Sequence, residues 1–133
     1  LAQGIIASES TLILNRVTIQ SAPRKQINNF LLATLGTEVE ITNSYFHDAV
    51  GEKNLFFNRA GNISIRNTTF KNLTAGEGGA IYARDSQRLS VTESIFVGNY
   101  ADRGSDIFVT SCEEVELQSL TSRNFGTGGS VII

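Results

Sequence analysis

The side chains able to do chemistry are few and scattered. Two carboxylates are the minimum for a general acid with a base or nucleophile, as in glycan-cleaving enzymes. The nearest candidates are Asp102 with Asp106, in the stretch Asp102-Arg103-Gly104-Ser105-Asp106, and His47 with Asp48. Asp102 and Asp106 are expected to be solvated or backbone-capping turn residues, and His47-Asp48 an exposed strand end, so no catalytic residue is assigned. Glu113, Glu114 and Glu116 form an acidic run that reads as a solvated corner. Calcium-binding nonapeptide repeats would show recurring Gly-Gly-x-Gly-x-Asp, and only Gly104 to Asp106 loosely fits, so no metal site and no cofactor is assigned. Cys112 is the single cysteine, far in sequence from the single histidine, which leaves no disulfide within the chain and no thiol–imidazole pair. Three Asn-x-Ser/Thr sequons begin at Asn62, Asn67 and Asn72. In a secreted eukaryotic chain these would be acceptors for N-glycans.

Composition narrows the class. A 41% share of hydrophobic residues suffices for a core. The net charge of −2 lacks the basic stripe a nucleic-acid surface requires. No apolar run approaches the ~18 residues of a membrane span. Helical patterning is absent. Short β-branched and aromatic triplets, broken by Gly, Asn and Ser, read as short strands between turns.

Those strands recur. An apolar–polar–apolar triplet appears as Leu12-Ile13-Leu14, Val39-Glu40-Ile41, Ile63-Ser64-Ile65, Leu89-Ser90-Val91 and Val115-Glu116-Leu117, at spacings of 27, 24, 26 and 26. A second strand ends in Ile19, Phe46, Phe70, Phe96 and then Ser122, where the pattern weakens. A third block runs Phe30-Leu31-Leu32-Ala33, Leu55-Phe56-Phe57-Asn58, Ala80-Ile81-Tyr82-Ala83, Asp106-Ile107-Phe108-Val109 and Ser130-Val131-Ile132-Ile133. Three blocks on one period of about 25 residues predict an all-β, right-handed, single-stranded parallel β-helix of about five rungs, forming one segment over residues 1–133.

Side chains alternate in and out along a strand, so equivalent positions should stack as ladders inside the coil. Leu12/Val39/Ile63/Leu89/Val115 is one such expected ladder. Asn43, Asn67, Glu93 and Ser119 should share a corner, where Asn tolerates left-handed backbone. Scattered threonines, interrupted by Tyr45 and Ile95 at equivalent positions, do not make an ice-binding array. The third block is apolar at two adjacent positions per rung. Alternation then turns one row outward, and Leu32, Phe57, Tyr82, Phe108 and Ile132 are expected to form a partner-facing stripe centred on Tyr82 and Phe108. The alternative is a strand bend that buries both rows, or coverage by a flanking segment such as residues 1–10. Pro23-Arg24-Lys25, Gly51-Glu52-Lys53 and Gly76-Glu77-Gly78 mark loops of variable length before the third block.

The stretch Phe96 to Phe108 (FVGNYADRGSDIF) and Gly78-Gly79-Ala80-Ile81 resemble the F-x-x-N and G-G-A-I motifs of the polymorphic outer membrane protein repeat. Gly104-Ser-Asp-Ile107 and Gly128-Gly-Ser-Val131 are degenerate copies, and Phe70-Lys-Asn72 is one residue short. The resemblance covers residues 63–133 through motifs and 1–62 through periodicity alone. It implies a cell-surface or secreted passenger, structural or adhesive and not catalytic.

The expected function is therefore a non-enzymatic structural or adhesive segment at the cell surface or outside the cell. It would act through other protein chains or further rungs at both ends, with surface glycans as additional partners. The ends, Leu1-Ala-Gln-Gly-Ile5-Ile6 and Val131-Ile-Ile133, carry no recognisable cap, which suggests a piece of a longer array. The rival reading is a truncated polysaccharide lyase or glycoside hydrolase, which would show stacked carboxylates along one face.

Overall fold

The computed structural model describes residues 2–21, 26–124 and 129–133. Pro23-Arg24-Lys25 and Gly128 lie outside the described residues. The described residues contain strands, turns and no helix.

A leading strand, β1 (Ala2–Ser8), precedes five rungs of three strands each. The first rung is β2 (Thr11–Asn15), β3 (Thr18–Gln20) and β4 (Gln26–Thr34). The second is β5 (Glu38–Thr42), β6 (Tyr45–Gly51) and β7 (Leu55–Asn58). The third is β8 (Asn62–Arg66), β9 (Thr69–Thr74) and β10 (Ile81–Arg84). The fourth is β11 (Arg88–Thr92), β12 (Ile95–Val97) and β13 (Ile107–Thr110), and the fifth β14 (Glu114–Gln118), β15 (Thr121–Arg123) and β16 (Val131–Ile132). Every strand pair is parallel, and each strand pairs with its counterpart one rung away: β2-β5-β8-β11-β14, β3-β6-β9-β12-β15 and β1-β4-β7-β10-β13-β16. The chain is a parallel β-solenoid.

The expected ladders are present in register. Leu12, Val39, Ile63, Leu89 and Val115 are successive partners, as are Leu14, Ile41, Ile65, Val91 and Leu117. Val39, Ile63 and Leu89 are at most 3% exposed. Ile19, Phe46, Phe70, Phe96 and Ser122 make the third column. Within it Phe46 and Phe70 stack at 5.5 Å and 8° between ring planes, and Phe70 and Phe96 at 4.9 Å and 12°. In-register stacking puts identical rings one strand spacing apart, so each phenylalanine adds ring contact to its area burial.

The corners are built from left-handed residues piled in columns. Arg16, Asn43, Asn67, Glu93 and Ser119 all have φ between 49° and 57°, which includes the four corner residues expected from the sequence. Glu9, Leu35, Arg59, Asp85 and Ser111 form a second such column after the third strands, with φ between 49° and 58°. Asp48, Asn72 and Gly98 form a third. A left-handed residue turns the chain sharply between strands, and most of these side chains are not glycine, so the stacked neighbours must hold the conformation.

Buried hydroxyls brace the first corner from inside. Ser44 Oγ donates to the Thr42 carbonyl at 2.8 Å and accepts from Val17 N at 3.3 Å, one rung back. Thr68 and Ser94 repeat the arrangement on Ser44 N and Thr68 N. Each hydroxyl satisfies a backbone group left unpaired where the strand ends.

Candidate functional site

Three outer faces and one buried polar cluster carry the candidate residues. On the first-strand face, the outward rows are Ile13/Glu40/Ser64/Ser90/Glu116 and Asn15/Thr42/Arg66/Thr92/Gln118. Between these rows and the Asn corner lies an open groove of about 520 Å³, lined by Ile13, Asn15, Glu40, Asn43, Arg66 and Asn67 among others. It continues through Glu40 into a second depression of about 250 Å³ beside Asn62 and Ser64. The amides form a chain across rungs: Asn67 Nδ2 donates to Asn43 Oδ1 at 2.7 Å, and Asn43 Nδ2 to Asn15 Oδ1 at 3.1 Å. Thr42 Oγ1 also donates to Asn15 Oδ1 at 3.0 Å.

Both arginines on this face are paired with glutamates, which outnumber them. Arg88 binds both Glu114 and Glu116, and Arg66 lies 3.6 Å from Glu93. Glu114 and Glu116 thus serve in a rung-to-rung ion pair. Glu38 Oε2 accepts from Asn62 N at 3.1 Å. Glu40 has no ion pair or hydrogen bond among the described residues.

On the second-strand face, His47 Nδ1 and Asp48 Oδ2 are 2.7 Å apart, and Asn72 Nδ2 donates to Asp48 Oδ1 at 3.0 Å. The hydrogen bonds from His47 and Asn72 hold the Asp48 carboxyl below its ordinary pKa, and the charges of His47 and Lys71 add to this. Tyr45 stacks on the His47 ring at 4.3 Å and 14°. Asp48 is exposed, but the His47 side chain is only 14% exposed, so the expected fully exposed pair is half-buried at the imidazole.

The third-strand face corrects the expected stripe. β7 pairs Leu55 with Leu31 and Ile81, and Phe56 with Leu32 and Tyr82. Phe56, not Phe57, therefore continues the outward row Ile6/Leu32/Phe56/Tyr82/Phe108/Ile132. Phe57 aligns with Ala33 and Ala83 inside the coil and is fully buried. The Leu-Phe-Phe run offers two adjacent aromatics, and choosing the wrong one by a single residue swaps inside for outside.

The centre of this row is covered. Tyr82 and Phe108 are each only 6% exposed. Glycine-containing loops lie on the strands beneath them: a Cβ on Gly78 would stand 2.2 Å from the Ile81 carbonyl oxygen, and one on Gly104 2.5 Å from that of Ile107. Basic side chains complete the roof. Lys53 Nζ sits 5.4 Å and 5.1 Å from the Phe56 and Tyr82 ring centroids, and the Arg103 guanidinium 4.8 Å from that of Phe108. Arg103 also pairs with Glu77 at 3.3 Å. Leu32, Phe56 and Ile132 are half-buried, and Ile6 is 63% exposed. Exposure in this row is thus greatest at Ile6, away from the expected centre.

Asp106 is neither a solvated nor a backbone-capping turn residue: its carboxylate is buried against side chains. It is 1% exposed and aligns with Ala80 and Ser130, and its counterpart in the second rung is Asn54, not Leu55. Its carboxylate accepts from Asn99 Nδ2 at 2.9 Å and Ser122 Oγ at 2.6 Å. Asp102 stays exposed, accepting from the Tyr100 hydroxyl at 3.3 Å, so the two aspartates do not face one substrate position.

The motif residues have structural work. Asn99 Oδ1 accepts from Leu73 N at 3.0 Å, and its Nδ2 also reaches the Phe70 carbonyl. A Cβ on Gly79 would lie 2.1 Å from the Ser105 carbonyl oxygen. Asn72 aligns with Gly98 and not with Asn99, since His47, Lys71 and Val97 are successive partners. Asn62, Asn67 and Asn72 are all exposed. Cys112 is half-buried, and burial, with the charge of Asp85, raises its thiol pKa against a lowering bond from the Ser86 backbone.

Among the described residues no helix is long and apolar enough to cross a membrane, and no three His, Cys, Asp or Glu side chains converge on a metal position. No family model, curated protein or solved structure matches the chain.

Proposed function

We propose that this chain is a non-catalytic, structural and adhesive β-helix segment of a cell-surface or secreted protein, working through contacts with other protein chains. One observation carries the reading: the polar side chains are used between rungs. The Asn15–Asn43–Asn67 chain, the Ser44/Thr68/Ser94 hydroxyls, Asp48–Asn72, Arg88 with Glu114 and Glu116, and Glu77–Arg103 all link one rung to the next. Such cross-bracing stiffens a rod. It does not gather reactive groups at one point, as a glycan-cleaving site requires.

The repeat is best read as the polymorphic outer membrane protein type. Support comes from the structural roles of Phe96, Asn99 and Gly79, which explain why those residue types belong at those spacings. Adhesive contact fits the exposed Ile6 at the end of the outer apolar row, with half-buried Leu32 beside it, better than the roofed centre. Asn62, Asn67 and Asn72 are accessible for N-glycans if the chain is secreted by a eukaryote.

The test is a bead assay. Beads coated with the chain should adhere to cells or secreted matrix, and protease treatment of that surface should abolish adhesion. Ile6→Asp with Leu32→Asp should weaken it. Release of reducing ends or unsaturated sugars from a polysaccharide panel would overturn the non-catalytic reading.

A further inference from the structure

We propose that the groove on the first-strand face is a binding site for a linear neutral glycan lying along the solenoid axis. The groove and its continuation share Glu40, and together they span several rungs. The larger depression alone has a volume within the range of small-molecule sites. Successive rungs repeat at ~4.8 Å, and outward rows on one strand lie about 7 Å apart, so polar groups recur on the scale of sugar hydroxyls.

The polar groups suit hydroxyls. Glu40 has no partner among the described residues and stands where the two depressions meet. The Asn15 side chain uses its oxygen as acceptor twice, which leaves its amide N–H groups turned to other uses. Asn67 donates through nitrogen, leaving its carbonyl oxygen to accept. A sugar hydroxyl both donates and accepts, and a charged acceptor such as Glu40 makes the stronger bonds. Glu40, Thr42 and Arg66 belong to β5 and β8, each paired on both sides, so their backbone is held in place before any ligand arrives.

Charge selects among ligands. Glu38, Glu40, Glu93, Glu114 and Glu116 face Arg66 and Arg88 on this side, and both arginines are engaged with glutamates. An acidic glycan or a nucleic acid would be repelled. A protein partner would want an apolar centre, and the groove offers only Ile13 as a large exposed hydrophobe. A neutral polyhydroxylated chain meets neither obstacle.

The experiment uses the chain made in bacteria, which carries no N-glycan, titrated with linear neutral hexasaccharides (cello-, manno- and chito-type) and followed by NMR and calorimetry. Oligogalacturonate is the acidic control. At least one neutral probe should shift the amides of Ile13, Glu40 and Asn67 and remain uncleaved. Glu40→Gln should weaken its binding about tenfold, while Lys71→Ala on the second-strand face leaves it unchanged. Failure of every neutral probe, shifts confined to other faces, or equal binding of oligogalacturonate would overturn the proposal. Chain secreted from a eukaryotic host tests the other source of sugar. If a glycan on its own Asn62 or Asn67 fills the groove, the external ligand is ruled out. Adhesion through Ile6 and Leu32 is read separately and does not depend on this result.

Discussion

Asn99 Nδ2 lies 2.9 Å from Asp106 Oδ1 in the interior, where both residues are at most 2% exposed. The same amide reaches the Phe70 carbonyl, while its oxygen accepts from Leu73 N. Asn99→Ala would leave a backbone N–H, a carbonyl and a carboxylate short of partners together. The expected loss is about 3 kcal/mol in urea unfolding. A loss below about 1 kcal/mol would show that the cluster is hydrated instead.

Gly79 and Gly76 give a paired test of close packing. A Cβ at Gly79 meets three carbonyl oxygens, of Ser105, Tyr100 and Leu73, at 2.1, 2.9 and 3.1 Å, whereas Gly76 has open space. Gly79→Ala should destabilise by about 3 kcal/mol, and Gly76→Ala should stay within about 0.5 kcal/mol, read from thermal or urea midpoints. Equal effects would contradict the tight approach of the third-block loop to its neighbouring rung.

The adjacent aromatics Phe56 and Phe57 report the register directly. Phe57 is fully buried and Phe56 half-buried under Lys53. Phe57→Ala should cost about 4 kcal/mol and Phe56→Ala about 1 kcal/mol. The reverse order would place β7 one residue out.

Asp48 makes a pH prediction with a definite sign. Its pKa is lowered in the folded state from an ordinary value of 3.8, chiefly by the hydrogen bond from His47. The contribution is therefore fully present above that value and is lost as pH falls through the depressed folded value. Asp48→Asn should flatten the acid limb of the stability profile and leave its slope near neutral pH unaltered by this carboxylate. An acid limb unchanged by the substitution would remove Asp48 from the account.

Cys112 should react slowly. Burial raises its thiol pKa, and the thiolate is the reactive form. Alkylation at neutral pH should run slower than that of free glutathione, and denaturant should restore the faster rate.

The fold was legible because stacking demands repetition. Leu12, Val39, Ile63, Leu89 and Val115 keep the same character at the same interval, and the structure makes them vertical neighbours. The third block was legible to within one residue. Three apolar residues in a row at Leu55-Phe56-Phe57 carry no internal sign of which faces inward. Two things were hidden. The left-handed column of Glu9, Leu35, Arg59, Asp85 and Ser111 has no shared chemistry, because the backbone requirement is met by the surroundings and not by residue type. The roof over Tyr82 and Phe108 depends on how loops fold back, which periodicity does not encode. A signal did exist for the Ser44/Thr68/Ser94 column: a hydroxyl residue directly follows each of the corner residues Asn43, Asn67 and Glu93.

The first-strand sheet runs from β2 to β14 without one slipped pairing. Each turn therefore presents the next with the surface it was itself built upon. A tandem duplication of one such unit would slot in as a spare part, since its upper and lower contacts already exist. Lengthening the rod needs no newly invented interface, and a lineage could tune its reach by copying alone.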